Sequence, residues 1–154
     1  MREILLDSQI TEHFTFREML TSSTAIRLGL SNIPDDNEIY KNLQWLCEAL
    51  ELIRAGLGKP IRIVSGYRDE AVNTAVGGSK NSAHCKGLAA DFTVKGTSLL
   101  EVCKAIPAWV KDFDQIIYEF GEAGWVHLGL SVKPRRQLLS AVKEGGKTVY
   151  KEGL

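Results

Sequence analysis

Apolar residues recur along the chain with two periods, and the changes between them divide it into predicted elements. Ile39, Leu43, Leu46, Leu50 and Ile53 follow one another at intervals of four, three, four and three, the spacing of a helix that buries one stripe. Pro34 suits the first turn of this helix, and Gly56 and Gly58 end it. Thr15 and Glu18 have capping-box spacing and open a short helix reaching about Leu20. Ser98 and Glu101 repeat that spacing and open another, whose Leu99, Val102, Cys103 and Ile106 face inward until Pro107 disturbs it. A period of two marks Ile61–Val64, Leu88–Val94, Gln115–Phe120 and Trp125–Leu130 as strands. Gln137–Lys143 and Lys147–Lys151, separated by Glu144-Gly145-Gly146, predict a terminal hairpin. The sum is an α+β domain.

Alternation also assigns faces. Leu88, Ala90, Phe92 and Val94 share one side of their strand, which sends Asp91 to the other. Val126, Leu128 and Leu130 share the apolar side of theirs, and His127 stands opposite, on a face expected to be polar and open. His84 lies seven residues before Asp91, and a turn through Cys85-Lys86-Gly87 folds its imidazole back over the sheet. Pairing of the two strands then gathers His84, Asp91 and His127 on one face. Three protein ligands with a fourth position open is the pattern of a catalytic zinc site, and imidazole with carboxylate suits zinc better than calcium or copper.

A metal-activated water needs a carboxylate to carry its proton. Glu119, at the end of its strand, and Glu122, inside the loop Gly121–Gly124, both qualify; a strand end holds a base more rigidly than a loop tip, which favours Glu119. Arg68 follows Ser65-Gly66-Tyr67 and precedes a short helix, Asp69 to about Val76, that Gly77-Gly78 terminates; its guanidinium is a candidate clamp for a carboxylate or an oxyanion. Ser82 is a candidate hydrogen-bonding partner for bound peptide. Trp125 is placed to wall a cleft, whereas Trp45 and Trp109 read as core, Cys85 as a packed thiol and His13 as structural.

The 154 residues, 44% of them hydrophobic, suit one domain with its own core, spanning 1–154. Nineteen Lys and Arg balance nineteen Asp and Glu, so no overall field recruits nucleic acid or an anionic membrane. No apolar stretch is long enough for a membrane span, and the start Met1-Arg2-Glu3-Ile4-Leu5-Leu6-Asp7 lacks a signal-peptide pattern, which predicts cytoplasmic synthesis. Cys47, Cys85 and Cys103 contain no C-x-x-C pair, which points to a reducing compartment and away from a cysteine metal site.

Ser65-Gly66-Tyr67-Arg68, the run Ser82-Ala83-His84-Cys85-Lys86-Gly87-Leu88-Ala89-Ala90-Asp91, and Trp125-Val126-His127 resemble the S-G-[YF]-R, S-x-H-x-x-G-x-A-x-D and W-x-H signatures of zinc D-Ala-D-Ala carboxypeptidases. That group, peptidase family M15, includes phage L-alanyl-D-glutamate endopeptidases, and the hedgehog signalling domain shares its fold. Phe14-Thr15-Phe16-Arg17-Glu18-Met19 and Arg27-Leu28-Gly29-Leu30 resemble its small murein-peptidase branch.

The resemblance implies an antiparallel sheet carrying the zinc site, with helices on its other face. It implies zinc on His84, Asp91 and His127, substrate on Arg68 and Ser82, and Gly87 and Ala89 keeping space close to the metal. In some relatives the catalytic glutamate stands three residues before the last histidine, which is Gly124 here; the hedgehog-like arrangement ends the preceding strand with it, where this chain has Glu119. The expected function is hydrolysis of D-amino-acid-containing peptidoglycan peptides, as a DD-carboxypeptidase or a murein endopeptidase. The chain is expected to be monomeric and to reach the wall as a phage-type lysin or to act in cytoplasmic recycling. The rival reading is a zinc-containing binding module of the same fold without turnover.

Overall fold

Local signals set the elements of the computed structural model, which describes residues 2–154. In chain order they are helix α1 (Arg2–Asp7), strands β1 (Gln9–Thr11) and β2 (Phe14–Thr15), and helices α2 (Phe16–Leu20), α3 (Ser23–Leu28) and α4 (Asn37–Leu57). Strand β3 (Arg62–Ser65), helix α5 (Glu70–Ala75), a 3-10 turn at Ala83–Lys86, strand β4 (Ala89–Thr93) and helix α6 (Leu99–Ala105) follow. The chain ends in strands β5 (Phe113–Glu119), β6 (Trp125–Leu130), β7 (Gln137–Glu144) and β8 (Lys147–Glu152). Helices and strands are both well represented, and the α+β reading holds.

Two compact units are present: Met1–Glu51 with Ser65–Ala90, and Leu52–Val64 with Asp91–Leu154. The chain passes between them three times, each time inside a continuous element: within α4, within β3 and within β4. In the first unit the α4 stripe Leu43, Leu46, Cys47 and Leu50 is fully buried, as are Met19 and Val72. Thr15 caps α2 as predicted: its hydroxyl accepts from the Glu18 N–H at 3.2 Å, and the Glu18 carboxylate accepts from the Thr15 N–H at 3.1 Å. His13 has a structural partner that spacing does not reveal, since its Nδ1 and its backbone N–H both reach the Glu51 carboxylate at 2.7 Å.

The six-stranded sheet has the order β3-β4-β6-β5-β7-β8. It is mixed rather than antiparallel: β5 pairs antiparallel with β6 but parallel with β7, because the chain from β6 to β7 crosses over β5 instead of turning back beside β6. The predicted hairpin is β7 and β8, joined by Gly145 and Gly146 at φ 57° and 78°, a two-residue turn that only glycine-like backbone makes without strain. Helix α6 packs against β5 and β6.

Three helix expectations need correction. Pro34 lies ahead of α4 rather than in its first turn; Asp36 instead starts the helix, its carboxylate accepting from the Glu38 N–H at 2.9 Å and its carbonyl from the Ile39 N–H. Gly56 does not end α4, which runs to Leu57 before Gly58 turns left-handed at φ 65°. A Cβ at Gly56 would lie 2.2 Å from the Trp109 ring, so this glycine makes room for an indole. Trp109 and Trp45 are each half-buried, not full core.

The start of α6 is supplied from a distance. Ser98 accepts from the Glu101 N–H, but the return half of the predicted capping box is absent, and Glu101 sits near Lys104. Glu122 takes its place: its carboxylate accepts from the Leu99 N–H at 2.7 Å, the Leu100 N–H at 3.0 Å and the Tyr118 hydroxyl at 2.5 Å. These bonds, that from Tyr118 first, hold the Glu122 carboxyl below its ordinary value of 4.5, and the same bond pushes the Tyr118 hydroxyl up to about 12.

Two outcomes follow. A depressed carboxyl stabilises the fold above its unfolded value and loses that contribution as pH falls through the folded one. Glu122→Gln, which mimics the protonated acid, should therefore lower Tm at neutral pH, and the difference from wild type should close progressively below pH 4.5 in thermal melts. Gly56→Ala should lower stability by about 1–3 kcal/mol in denaturant unfolding, the clash with Trp109 outweighing the helix preference for alanine of about 1 kcal/mol.

Candidate functional site

Short backbone hooks position the candidate residues within each unit. In the first, Ser82 caps the 3-10 turn, its hydroxyl accepting from the His84 N–H at 3.2 Å. Gly87 closes the turn at φ 73°, and its N–H and that of Leu88 return to the turn's carbonyls. The His84 ring is 2% exposed, and its Nδ1 lies 2.8 Å from the Gly66 carbonyl oxygen. A carbonyl only accepts, so Nδ1 carries the proton and Nε2 the lone pair that a metal would use. The Arg68 N–H answers with a bond to the His84 carbonyl at 3.1 Å, so the Ser65-Gly66-Tyr67-Arg68 segment and the turn brace each other.

The second unit carries Asp91 on β4, His127 on β6 and Glu119 at the end of β5. His127 Nδ1 lies 2.9 Å from Asp91 Oδ1 and 3.7 Å from Glu119 Oε1. The faces were assigned correctly by alternation, but the expected open face is not open: Asp91 is 6% and His127 9% exposed, and Ala89, Ala90 and Phe92 are fully buried. Period-two patterning tells which residues share a side and says nothing of whether another layer covers that side.

His84, Asp91 and His127 each offer one ligand atom, and these atoms lie within 4.8 Å of one another. Two imidazoles and one carboxylate, buried and gathered at that separation, fit a divalent cation in both charge and donor type.

The two candidate bases separate. Glu122 is exposed and occupied as the α6 cap, whereas the Glu119 side chain is 12% exposed and stands beside His127. Gly124, the alternative glutamate position of the family pattern, cannot carry one in this turn: a Cβ there would lie 1.8 Å from the Glu119 carbonyl oxygen. Phe120, left-handed at φ 62°, starts that turn and packs edge-on against Trp125 at 5.4 Å.

The atoms a Cβ at Gly87 would meet are Ile39 O at 3.0 Å and the Ile39 and Leu43 side chains at 3.2 Å, so this glycine makes room for α4. Ala89 is fully buried. Cys85 is half-buried and free, and burial pushes its thiol up against the opposing pull of Arg68. Arg68 donates from Nη1 to Asn73 Oδ1 at 3.0 Å. Sequence reading missed Asn73 and its companion Asn32, both buried; an asparagine inside a predicted helix one turn after an arginine is the faint signal that was present.

The family model described as Peptidase M15 matches residues 12–129, a stretch that runs through both units. No curated protein matches the chain. Among the described residues no helix is long and apolar enough to cross a membrane.

Metal analysis checks the centre directly. The protein should hold about one divalent cation per chain, and His84→Ala or His127→Ala should reduce it to background. Retention of the metal in both variants would remove the centre.

Proposed function

The chain belongs to peptidase family M15, and from that premise we propose that it is a zinc-dependent peptidase acting on D-amino-acid-containing peptides of bacterial peptidoglycan. The observation that carries the reading is the buried His84, Asp91 and His127 group with ligand atoms within 4.8 Å, a donor set that suits zinc. Zinc, when bound there, supplies Lewis acidity to a water and to the scissile carbonyl.

The chain's own residues do the rest. Glu119, held at a strand end and largely shielded, accepts a proton from the attacking water at its carboxylate and delivers it to the leaving amine. Arg68 brings a fixed positive charge, and its planar fork suits a substrate carboxylate or the oxyanion that develops at the carbonyl. Ser82 keeps its O–H as a donor to bound peptide, since its oxygen is the acceptor in the turn. Trp125 walls the cleft, its ring braced by Phe120.

Release of new amino groups from purified peptidoglycan tests the reading, with mass spectrometry of the products identifying the bond as a terminal or an internal one. Glu119→Gln should cut the rate by about 10²- to 10⁴-fold while metal content stays at the wild-type level. Wild-type turnover in this variant would exclude Glu119 as base, and absence of release from the metal-loaded wild type would exclude the peptidase on this substrate.

A further inference from the structure

Arg68 would be a poor clamp if its long side chain were left to choose among rotamers, because ordering it on binding costs affinity. Two buried asparagines bear on that cost. Asn32, 7% exposed, grips the backbone on both sides of Arg68: its Nδ2 donates to the Tyr67 carbonyl at 3.0 Å and to the Leu20 carbonyl at 2.7 Å, and its Oδ1 accepts from the Asp69 N–H at 2.7 Å. Asn73, 4% exposed on α5, reaches the guanidinium itself: its Oδ1 accepts from Arg68 Nη1 at 3.0 Å and its Nδ2 donates to the Ser79 carbonyl at 2.8 Å. The chemistry leaves one orientation for this amide, since a guanidinium only donates and a carbonyl only accepts.

The surroundings are built around the contact. Asp69 caps α5 through the Ala71 N–H, and the Asn73 N–H returns to the Asp69 carbonyl, so the helix that carries Asn73 is capped by the residue next to Arg68. Gly78, whose N–H bonds to the Asn73 carbonyl, passes directly over the pair: a Cβ there would lie 2.1 Å from Asn73 Oδ1 and 2.9 Å from Arg68 Nη1. The Arg68 backbone is tied in turn to the His84 carbonyl.

We propose that Asn73 is a positioning residue of the peptide site, holding the Arg68 guanidinium in one plane so that its charge is preset for the substrate, with Asn32 fixing the backbone from which that side chain extends. The proposal rests on the reading of Arg68 as a substrate-binding residue. It makes Asn73 act through Arg68 on substrate affinity and not on the chemical step.

Steady-state release of amino groups from purified peptidoglycan, with wild type, Asn73→Ala, Arg68→Ala and the double variant, tests this. Asn73→Ala should raise the half-saturating substrate concentration about tenfold with kcat changed by less than about twofold, and it should add less than about twofold in the Arg68→Ala background. Asn73→Asp, which keeps the acceptor facing Arg68 and loses the donor facing Ser79, should restore affinity to within about threefold of wild type. Gly78→Ala, which presses on the same pair without removing a polar group, should reproduce the affinity loss and guards against a misfolded Asn73→Ala. Equal losses from Asn73→Ala in both backgrounds, or an Asn73→Asp variant that is folded yet as poor as the alanine, would overturn the proposal and make Asn73 a staple of the Gly77-Gly78-Ser79 loop. An Arg68→Ala variant with wild-type half-saturation would instead overturn the role of Arg68 itself, and with it any role of Asn73 through it.

Discussion

A histidine ring cannot be buried without a partner for its N–H, and His84 meets that demand at the Gly66 carbonyl oxygen. One bond thereby sets the tautomer, the ring plane and the direction in which Nε2 points. It also explains the residue that supplies the acceptor. A Cβ at position 66 would lie 2.5 Å from the Met19 carbonyl oxygen, which itself accepts from the Tyr67 N–H, so only a glycine lets this backbone approach α2 closely enough to be held there. The returning bond from the Arg68 N–H closes a brace of two short segments that carry different jobs.

Around His127 the constraint is one of charge. Two carboxylates, Asp91 and Glu119, stand 2.9 and 3.7 Å from a single imidazole, and all three side chains are largely withdrawn from water. A divalent cation held there together with His84, as proposed, would offset the negative charge of the two carboxylates and match the donor atoms. The fold therefore concentrates in one place the His84, Asp91 and His127 group and one further carboxylate, that of Glu119.

Much of this was legible in the chain. Caps at Thr15 and Ser98, the α4 stripe and the four period-two runs each signal their element because propensity, spacing and packing agree there. What was not legible depends on tertiary contacts. Elements α1 and α3 and the pair β1 and β2 are only two to six residues long, too short for a period to register. Gly56 looks like a helix stop until Trp109 is placed against it. Glu122 looks like a loop-tip acid until α6 starts beneath its carboxylate. The gathering of His84, Asp91 and His127 was readable from residue type and face, whereas their burial was not, because alternation carries no information about what lies above a sheet. Asn32 and Asn73 were invisible for a related reason: asparagine is common in turns and on surfaces, and only the finished backbone shows two of them facing inward.

The turn between β5 and β6 carries a consequence for how this chain can change. With the Glu119 carbonyl oxygen 1.8 Å from where a side chain at position 124 would begin, no side chain larger than hydrogen enters there while the turn keeps its path. The two ways of supplying an acid to this part of the sheet are then separated by a mutational gap: moving the carboxylate from 119 to 124 demands a new residue and a rebuilt turn at once, and each change alone is a loss.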